Sequence, residues 1–268
     1  MRERPPHWPK DRPQVVAHRG SSDANPEHTL QAYLAALDEG AEALECDVRL
    51  TADGHLVCVH DRDLRRTAST PGVVSTMRLS DLDELDFASW KRPWAELDDE
   101  AQEDDPELGK VLTLRRLLET VADYDRRVDV AIETKHPTRY GGLVEKRLVE
   151  LLATFGWAGR GSPARVMSFS WIALKRIERL APELDLVFLM DAPGEWLRAR
   201  PLARPDWIAG PGIELLRDHP KVISRIAERS RVHCWTVNTE EDAELCRELG
   251  VEAVITDRPA AMLRYLSS

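Results

Sequence analysis

The sequence predicts an α/β protein with a (β/α)8 barrel, and three observations support this prediction. Short apolar runs alternate with amphipathic segments along almost the whole chain, which is the pattern of βα units around a parallel sheet. Eight such runs can be counted, and 268 residues suit one barrel of this kind. The composition, 43% hydrophobic and 31% charged, is that of a globular protein. A doubly wound open sheet is the alternative architecture.

The short apolar runs are the predicted strands. In chain order they cover 15–17, 44–50, 128–133, 165–168, 184–190, 206–209, 232–236 and 253–256, and the run at 206–209 carries the weakest signal. The first helix places Leu30, Tyr33 and Leu37 on one face and ends at Gly40. Segments 144–155 and 243–249 repeat this spacing, so each should pack one face on the sheet.

We expect one catalytic barrel over residues 14–268, preceded by an N-terminal extension of residues 1–13. The βα rhythm breaks at about 61–110, and the extra residues are interpreted as an insertion that covers one side of a site. Inside it, the stretch 98–105 is too acidic to pack and is interpreted as a solvated loop. Calcium binding is the alternative interpretation of that stretch.

Charge and cysteine content exclude several classes of function. The 37 Lys and Arg residues against 47 Asp and Glu give a net charge of −10, which argues against a nucleic-acid or anionic-membrane partner. The four cysteines have no CxxC or dense spacing, so buried reduced thiols are expected. No export signal or apolar stretch long enough for a transmembrane segment is visible, which predicts a cytoplasmic protein. The oligomeric state is left open.

Charged residues stand where the first two predicted strands end. The first strand ends at His18 and Arg19, and the second carries Glu45 and Asp47 on one face, because alternate strand residues share a face. Two carboxylates about 7 Å apart along a strand repel each other unless a cation lies between them. Oxygen ligands select a hard cation, Mg²⁺ or Ca²⁺. A pair of solvent-facing carboxylates on an edge strand is the alternative.

Two further segments supply groups for the same rim. The apolar run 56–59 returns the chain to His60, a second imidazole, and the third strand ends with Glu133 and Lys135 on one face. Glu133 would add a third oxygen ligand. The planar fork of Arg19 and the ammonium group of Lys135 are candidate phosphate-binding groups, so an acidic protein can still bind an anion locally.

With these residues in view, the chain resembles the glycerophosphodiester phosphodiesterase family of phosphatidylinositol-phospholipase-C-like barrel enzymes. The resemblance covers about residues 14–260. Its segments, in order, are His18-Arg19-Gly20, Pro26-Glu27-His28-Thr29, Glu45-Cys46-Asp47, His60-Asp61, Glu133-Thr134-Lys135, Cys234-Trp235-Thr236-Val237-Asn238 and Thr256-Asp257-Arg258-Pro259. The clearest departure is His28, where the family usually has asparagine. His28 and the other histidines outside these motifs are interpreted as surface or core residues.

The resemblance implies a metal-dependent hydrolase that converts glycerophosphodiesters to glycerol 3-phosphate and an alcohol. It implies that Glu45, Asp47 and Glu133 hold the divalent cation. It also implies that His18 and His60 act as general acid and base, in an order that the sequence leaves open.

The implied partner is a small glycerophosphodiester, with a lysophospholipid as a second substrate. Glu27, Phe169 and Trp235 are the candidates for substrate contact. Glu27 is equally well interpreted as a helix N-terminal charge, and Trp235 as a core aromatic residue. Two other functions stay open: a barrel that binds phosphorylated polyols or lipids without turnover, and a lyase that stops at a cyclic phosphate.

Overall fold

A computed structural model describes residues 8–9, 11–91 and 106–267. Its strands are β1 (Gln14–His18), β2 (Ala43–Leu50), β3 (Leu56–Cys58), β4 (Asp129–Thr134), β5 (Ala164–Ser168), β6 (Asp185–Met190), β7 (Ile208–Pro211), β8 (His233–Cys234) and β9 (Ala253–Thr256). Eight of them are parallel neighbours in the order β7-β6-β5-β4-β2-β1-β9-β8, and β3 pairs antiparallel with β2 outside this ring.

The two ends of this sheet meet. Isolated parallel bridges between Ala209 and Val232 and between Gly212 and Trp235 join β7 to β8, so the ring is nearly closed. The predicted (β/α)8 barrel is therefore confirmed, and the open doubly wound sheet is excluded. The predicted strand at 206–209 begins two residues later, because Trp207 closes a turn onto the carbonyl of Arg204. The predicted strand at 232–236 shortens to the two residues of β8.

Helices of this barrel lie between its strands. They are α1 (Leu30–Asp38), α2 (Arg65–Ala68), α3 (Leu79–Asp83), α4 (Leu114–Ala122), α5 (Leu143–Thr154), α6 (Trp171–Leu180), α7 (Pro193–Ala199), α8 (Ile213–Asp218), α9 (Pro220–Ala227), α10 (Glu240–Glu248) and α11 (Pro259–Ser267). The Thr29 hydroxyl accepts a hydrogen bond from the Ala32 N–H at 3.2 Å, which starts α1 at Leu30. Gly40 follows the helix with a φ of +92°, as expected of a C-terminal stop.

Alternation along the strands separates two apolar layers. Leu44, Cys46 and Val48 of β2 face outward into the core under the helices. The barrel interior is a second, smaller cluster that consists of Val16, Ala43, Ala131, Met167, Val187, Leu189, Ile208, Ala253 and Ile255. Because Ala43 faces inward, Glu45 and Asp47 face inward too, above this cluster.

The described residues of the segment at 61–110, which are 61–91 and 106–110, lie beside the barrel mouth. We call them the inserted lobe; it includes α2 and α3. A separate apolar cluster is formed by Val57, Val59, Leu64, Val74, Leu82, Phe87 and Val111. The acidic stretch 98–105, with its loop and calcium interpretations, lies outside the described residues.

The cysteines and the apolar character of the helices were also predicted from the sequence. All four cysteines are free and buried, as their spacing predicts. Among the described residues, none of the helices combines the length and the apolar character that a membrane crossing requires.

Candidate active site

The register of three strands brings the charged residues together. His18 of β1 lies opposite Glu45 of β2, and Asp47 lies opposite Glu133 of β4. Because the three strands are neighbours and parallel, these side chains meet at the carboxyl end of the barrel. A cavity of about 200 Å³ opens there, and its apolar lining includes Met167, Leu189 and Ile255 from the barrel interior. We call it the first cavity.

Most of the predicted site residues surround the first cavity. Those that line it are His18, Arg19, Glu45, His60, Glu133, Lys135, Phe169 and Trp235. Of the other two, Asp47 is buried and ion-paired with Arg19 and Lys135. Glu27 accepts a hydrogen bond from Arg19 at 3.1 Å. The ten side chains therefore form one connected group.

Three buried carboxylates are crowded together beside this cavity. Ligand oxygens of Glu45, Asp47 and Glu133 lie within 4.8 Å of one another. Burial and the charge of Asp47 raise the pKa of Glu133 to about 8, and the same causes raise the pKa of Glu45 well above its usual range. A set of close oxygen donors with this repulsion fits a hard divalent cation. The described residues thus provide a site that could hold such an ion.

Asp47 differs from its two neighbours because positive groups surround it. Arg19 Nε lies 3.0 Å from its Oδ2 atom, and Lys135 Nζ lies 3.3 Å from Oδ1. Burial alone would raise the pKa of Asp47, but a hydrogen bond from His28 and the charges of Arg19 and Lys135 hold it well below the usual range. Lys135 Nζ also lies 2.9 Å from Glu133 Oε1. Both predicted phosphate-binding groups therefore already contact carboxylates.

A tight turn after β1 presents His18 and Arg19 to the cavity. Arg19 has a φ of +57°, and its backbone N–H donates to Glu45 Oε2 at 3.1 Å. Gly20 follows with a φ of +88°, and a Cβ added there would lie 2.6 Å from the backbone carbon of Ala32. Glycine is required because α1 packs against the turn at this point.

Each of the two site histidines is held by a carboxylate. His18 Nδ1 lies 2.6 Å from Asp257 Oδ1, and His60 Nδ1 lies 2.7 Å from Asp61 Oδ1. In both rings Nε2 is then the nitrogen left for chemistry. The bond to His18 lowers the pKa of Asp257 far below its usual range, although burial opposes this. Burial lowers the pKa of His60.

Asp61 and Asp257 were not predicted as site residues. Both stand inside segments that carry the family resemblance, one directly after His60 and one after Thr256. That position was the signal. Asp61 is adjacent to its partner His60, whereas Asp257 reaches His18 only when distant strands meet. Asp257 in addition accepts hydrogen bonds from Asn238 at 2.6 Å and Ser22 at 3.0 Å.

Comparison with known proteins agrees with this geometry. The model of the glycerophosphoryl diester phosphodiesterase family matches residues 18–261, nearly the whole chain. The chain belongs to this family. Family membership and the predicted enzyme class, a glycerophosphodiester phosphodiesterase, are thereby confirmed.

Relatives and solved structures of the phosphodiesterase family cover almost the same length. A probable glycerophosphodiester phosphodiesterase 1 of Mycobacterium tuberculosis is 46% identical over 259 residues, which is 95% of this chain and 92% of that protein. A glycerophosphodiester phosphodiesterase of Bacillus subtilis is 31% identical and covers 93% of this chain and 85% of that protein. An Oleispira antarctica phosphodiesterase, solved with the product sn-glycerol-3-phosphate, has a TM-score of 0.80 at 26% identity, covering 96% and 97%.

His28, the departure from the phosphodiesterase motif, is a buried residue with a specific role in the geometry. Its Nε2 atom lies 2.9 Å from Asp47 Oδ2, and its Nδ1 atom lies 2.9 Å from the Tyr33 hydroxyl. Tyr33 in turn donates to the backbone carbonyl of Glu45 at 3.0 Å. The core interpretation of His28 agrees with its burial, but the sequence did not predict its bond to a candidate metal ligand.

Glu27 and Trp235, for each of which the sequence allows two interpretations, both lie close to the first cavity. Glu27 lies before α1, not in its first turn, so the helix-charge interpretation is wrong. It accepts hydrogen bonds from Arg19 and Arg66, which lower its pKa to about 2 against the opposing effect of burial. Trp235 packs on the interior cluster and also lines the first cavity, with the Phe169 ring edge-on at 5.3 Å.

Proposed function

We propose that the chain hydrolyses glycerophosphodiesters to glycerol 3-phosphate and an alcohol at the first cavity. One observation carries this proposal: two carboxylate-bound imidazoles and two members of a cluster of three buried carboxylates line the same cavity. The product in the Oleispira antarctica structure and the names of the relatives support the choice of substrate class.

In this proposal Glu45, Asp47 and Glu133 hold a divalent cation, Mg²⁺ or Ca²⁺. A bound cation of this kind acts as a Lewis acid that neutralises charge on the phosphoryl oxygens. Arg19 and Lys135 add two positive groups at the same point, because both line the cavity. Together they bind the anionic phosphodiester in a protein whose net charge is −10.

His18 and His60 move the protons of the reaction. One imidazole accepts the proton of the attacking oxygen, which belongs to water or to a neighbouring hydroxyl of the substrate. That oxygen bonds to phosphorus, the bond from phosphorus to the alkoxide breaks, and the other imidazole protonates the alkoxide. If a substrate hydroxyl attacks first, water then opens the cyclic phosphate. Asp257 and Asp61 orient the two rings through Nδ1, which directs Nε2 at the substrate.

Phe169 and Trp235 flank the glycerol end of the substrate in this proposal. Phe169 is 39% exposed, so the acyl chain of a lipid can lie across its ring. This exposure supports a lysophospholipid as the second substrate. Glu27 acts through Arg19, whose guanidinium group it holds in place.

The test is a product assay on metal-stripped protein. Glycerophosphocholine, glycerophosphoethanolamine, glycerophosphoinositol and a lysophospholipid are each incubated with Mg²⁺, Ca²⁺ or excess chelator. We expect glycerol 3-phosphate from at least one glycerophosphodiester with a cation, and none in chelator. Full activity in chelator contradicts the cation site. A cyclic phosphate as the final product indicates the lyase, and binding without any product indicates the non-enzymatic barrel.

A further inference from the structure

A second cavity, of about 460 Å³, adjoins the first. It lies between the end of β2, the inserted lobe and the loop that follows β4. Lys135 lines both cavities, so the two share a wall. The remaining positive groups around it are Arg49, Arg62 and Arg139, and none of the described residues that line it is acidic.

These three arginines have no carboxylate partner among the described residues. Arg49 donates from Nε and Nη2 to the backbone carbonyl of His60, at 3.0 and 2.7 Å. Arg139 stacks on the ring of Tyr140 at 5.6 Å, and Arg62 is exposed. Asp61 lies near them in sequence, but it is bonded to His60 and Arg66 instead.

Such a concentration of positive charge is unusual in this acidic chain. Elsewhere several half-buried arginines face carboxylates, as Arg12 faces Glu42 at 2.7 Å and Arg19 faces Asp47 at 3.0 Å. Arg49, Arg62, Arg139 and Lys135 line one cavity without an acidic neighbour on its described wall, and an anion bound there would balance their charge.

The position of Arg49 relates the second cavity to the substrate. Arg49 shares a face of β2 with Glu45 and Asp47, and it lies about 7 Å further along the strand than Asp47. The first cavity, of about 200 Å³, is small and takes the glycerol and the scissile phosphate. The alcohol half of the substrate must therefore extend out of the first cavity, and the second cavity is the adjoining space. Ser75 and Thr138, whose side chains carry hydroxyl groups, lie on its wall.

We propose that the second cavity binds a phosphate group carried by the leaving alcohol. The preferred substrates are then glycerophosphodiesters whose alcohol bears a second phosphate. This inference rests on the proposed function and specifies its substrate class. Arginine forks recognise phosphate by paired hydrogen bonds, and two exposed arginines flanking a half-buried one can close around a tetrahedral anion.

A matched pair of substrates tests the proposal. Glycerophosphoglycerol and the same compound with a phosphate on its leaving glycerol differ only in the group that the second cavity would bind. Glycerophosphocholine, whose alcohol is cationic, is the third substrate. We expect a higher kcat/KM for the phosphorylated member of the pair than for the other two substrates.

Two variants remove arginines that belong to the second cavity and not to the first. Arg62→Ala and Arg139→Ala should each lower kcat/KM for the phosphorylated substrate about 10-fold, as expected for the loss of a charge-assisted hydrogen bond. Hydrolysis of glycerophosphocholine should stay within about 2-fold of the wild type. Arg115→Ala, which removes an exposed arginine from α4, is the matched control and should change neither rate.

Several results would overturn the proposal. It fails if the wild type does not prefer the phosphorylated substrate, or if the two variants slow all substrates equally. It also fails if these variants weaken only inhibition by inorganic phosphate, because the cavity would then take a free anion. If no glycerophosphodiester is hydrolysed, the proposed function fails. In that case, calorimetric binding of the phosphorylated diester, weakened about 10-fold by Arg62→Ala, would still support the second cavity, and unchanged binding would overturn it.

Discussion

Both ends of the barrel bury polar and charged side chains, but they arrange them in different ways. At the amino-terminal end, where β1, β4 and β5 begin, Gln14, Asp129 and Arg165 are buried. Arg165 Nη1 donates to Gln14 Oε1 at 2.9 Å, and Gln14 Nε2 donates to Asp129 Oδ2 at 3.0 Å. Nearby, Arg231 holds Glu252 at 2.6 Å. The polar groups named here are bonded to one another, although Arg165 Nε and Nη2 have no hydrogen-bond partner among the described residues.

At the carboxyl-terminal end the balance is different. Glu45, Asp47 and Glu133 crowd beside a cavity, and crowding and burial raise two of their pKa values. At the amino-terminal end, the charged groups are bonded mainly to other groups of the chain. At the carboxyl-terminal end, buried charge is left crowded, and it is available to a ligand that the chain does not supply.

The strongest test of this difference is removal of the imidazoles at the carboxyl-terminal end. His18→Ala and His60→Ala should each lower kcat by at least about 100-fold, because the proposed mechanism uses one as the acid and the other as the base. The urea unfolding midpoint should remain close to that of the wild type, as checked by circular dichroism. His55→Ala, at a side chain that is 53% exposed, is the control and should leave kcat unchanged. Near-normal rates in both site variants would assign the proton transfers to other residues.

The next test concerns the crowded carboxylates in metal-free protein. The pKa of Glu133 is about 8 in the folded chain, above its ordinary value of 4.5. The folded state therefore holds this proton more tightly, and the associated stability is present below pH 4.5 and is lost as the pH rises to about 8. Glu133→Gln should remove this loss, on the order of 2–4 kcal/mol at pH 8, while abolishing activity. Parallel stability curves for variant and wild type in chelator would contradict the crowding.

The amino-terminal end should respond to pH with the opposite sign. His233 is buried, and burial lowers its pKa to about 4 from 6.5. The stability linked to its neutral form is present above pH 6.5 and is lost as the pH falls to about 4. We expect a loss of about 2 kcal/mol by pH 4.5 from this residue, and a shallower decline in His233→Gln. Denaturant titrations across this pH range measure the slope; His55→Gln should keep the wild-type slope.

The smallest effect is expected from a substitution that keeps the charge of the site. Arg19→Lys retains a cation but loses the planar fork that contacts Asp47 and Glu27. We expect kcat/KM for glycerophosphocholine to fall about 10-fold, which steady-state kinetics can measure. Arg115→Lys is the conservative control. An unchanged kcat/KM would place Arg19 outside the substrate site.

The sequence was informative where periodicity is strong. Glu45 and Asp47 share one face of a strand, and so do Glu133 and Lys135, because side-chain direction repeats every two residues along a strand. This repeat does not depend on any tertiary contact. The stop of the first helix at Gly40 was predicted because it depends only on neighbouring residues, and Gly40 indeed has a φ of +92°. The weakest strand prediction, at 206–209, failed at its start. Trp207 closes a turn onto Arg204, and its indole N–H donates to Glu178 of α6, a partner outside the apolar run.

Partners that are far apart in sequence could not be assigned. Asp257 lies 239 residues from His18, and its role exists only because β9 pairs with β1. The sequence predicts no contact between His28 and the candidate active site, because its imidazole reaches Asp47 only when α1 packs beside β2. The same holds for the second cavity, whose arginines come from β2, the inserted lobe and the loop after β4.

By itself, the order of residues determined the alternation of strands and helices, the inward carboxylates and the motifs of the phosphodiesterase family, because each is a local repeat or a contiguous segment. Tertiary structure alone decided that Asp257 holds His18, how closely three acids crowd, and where unpaired arginines gather. These are distances between separate strands and loops, and they are fixed only when the ring of strands closes and places their ends side by side.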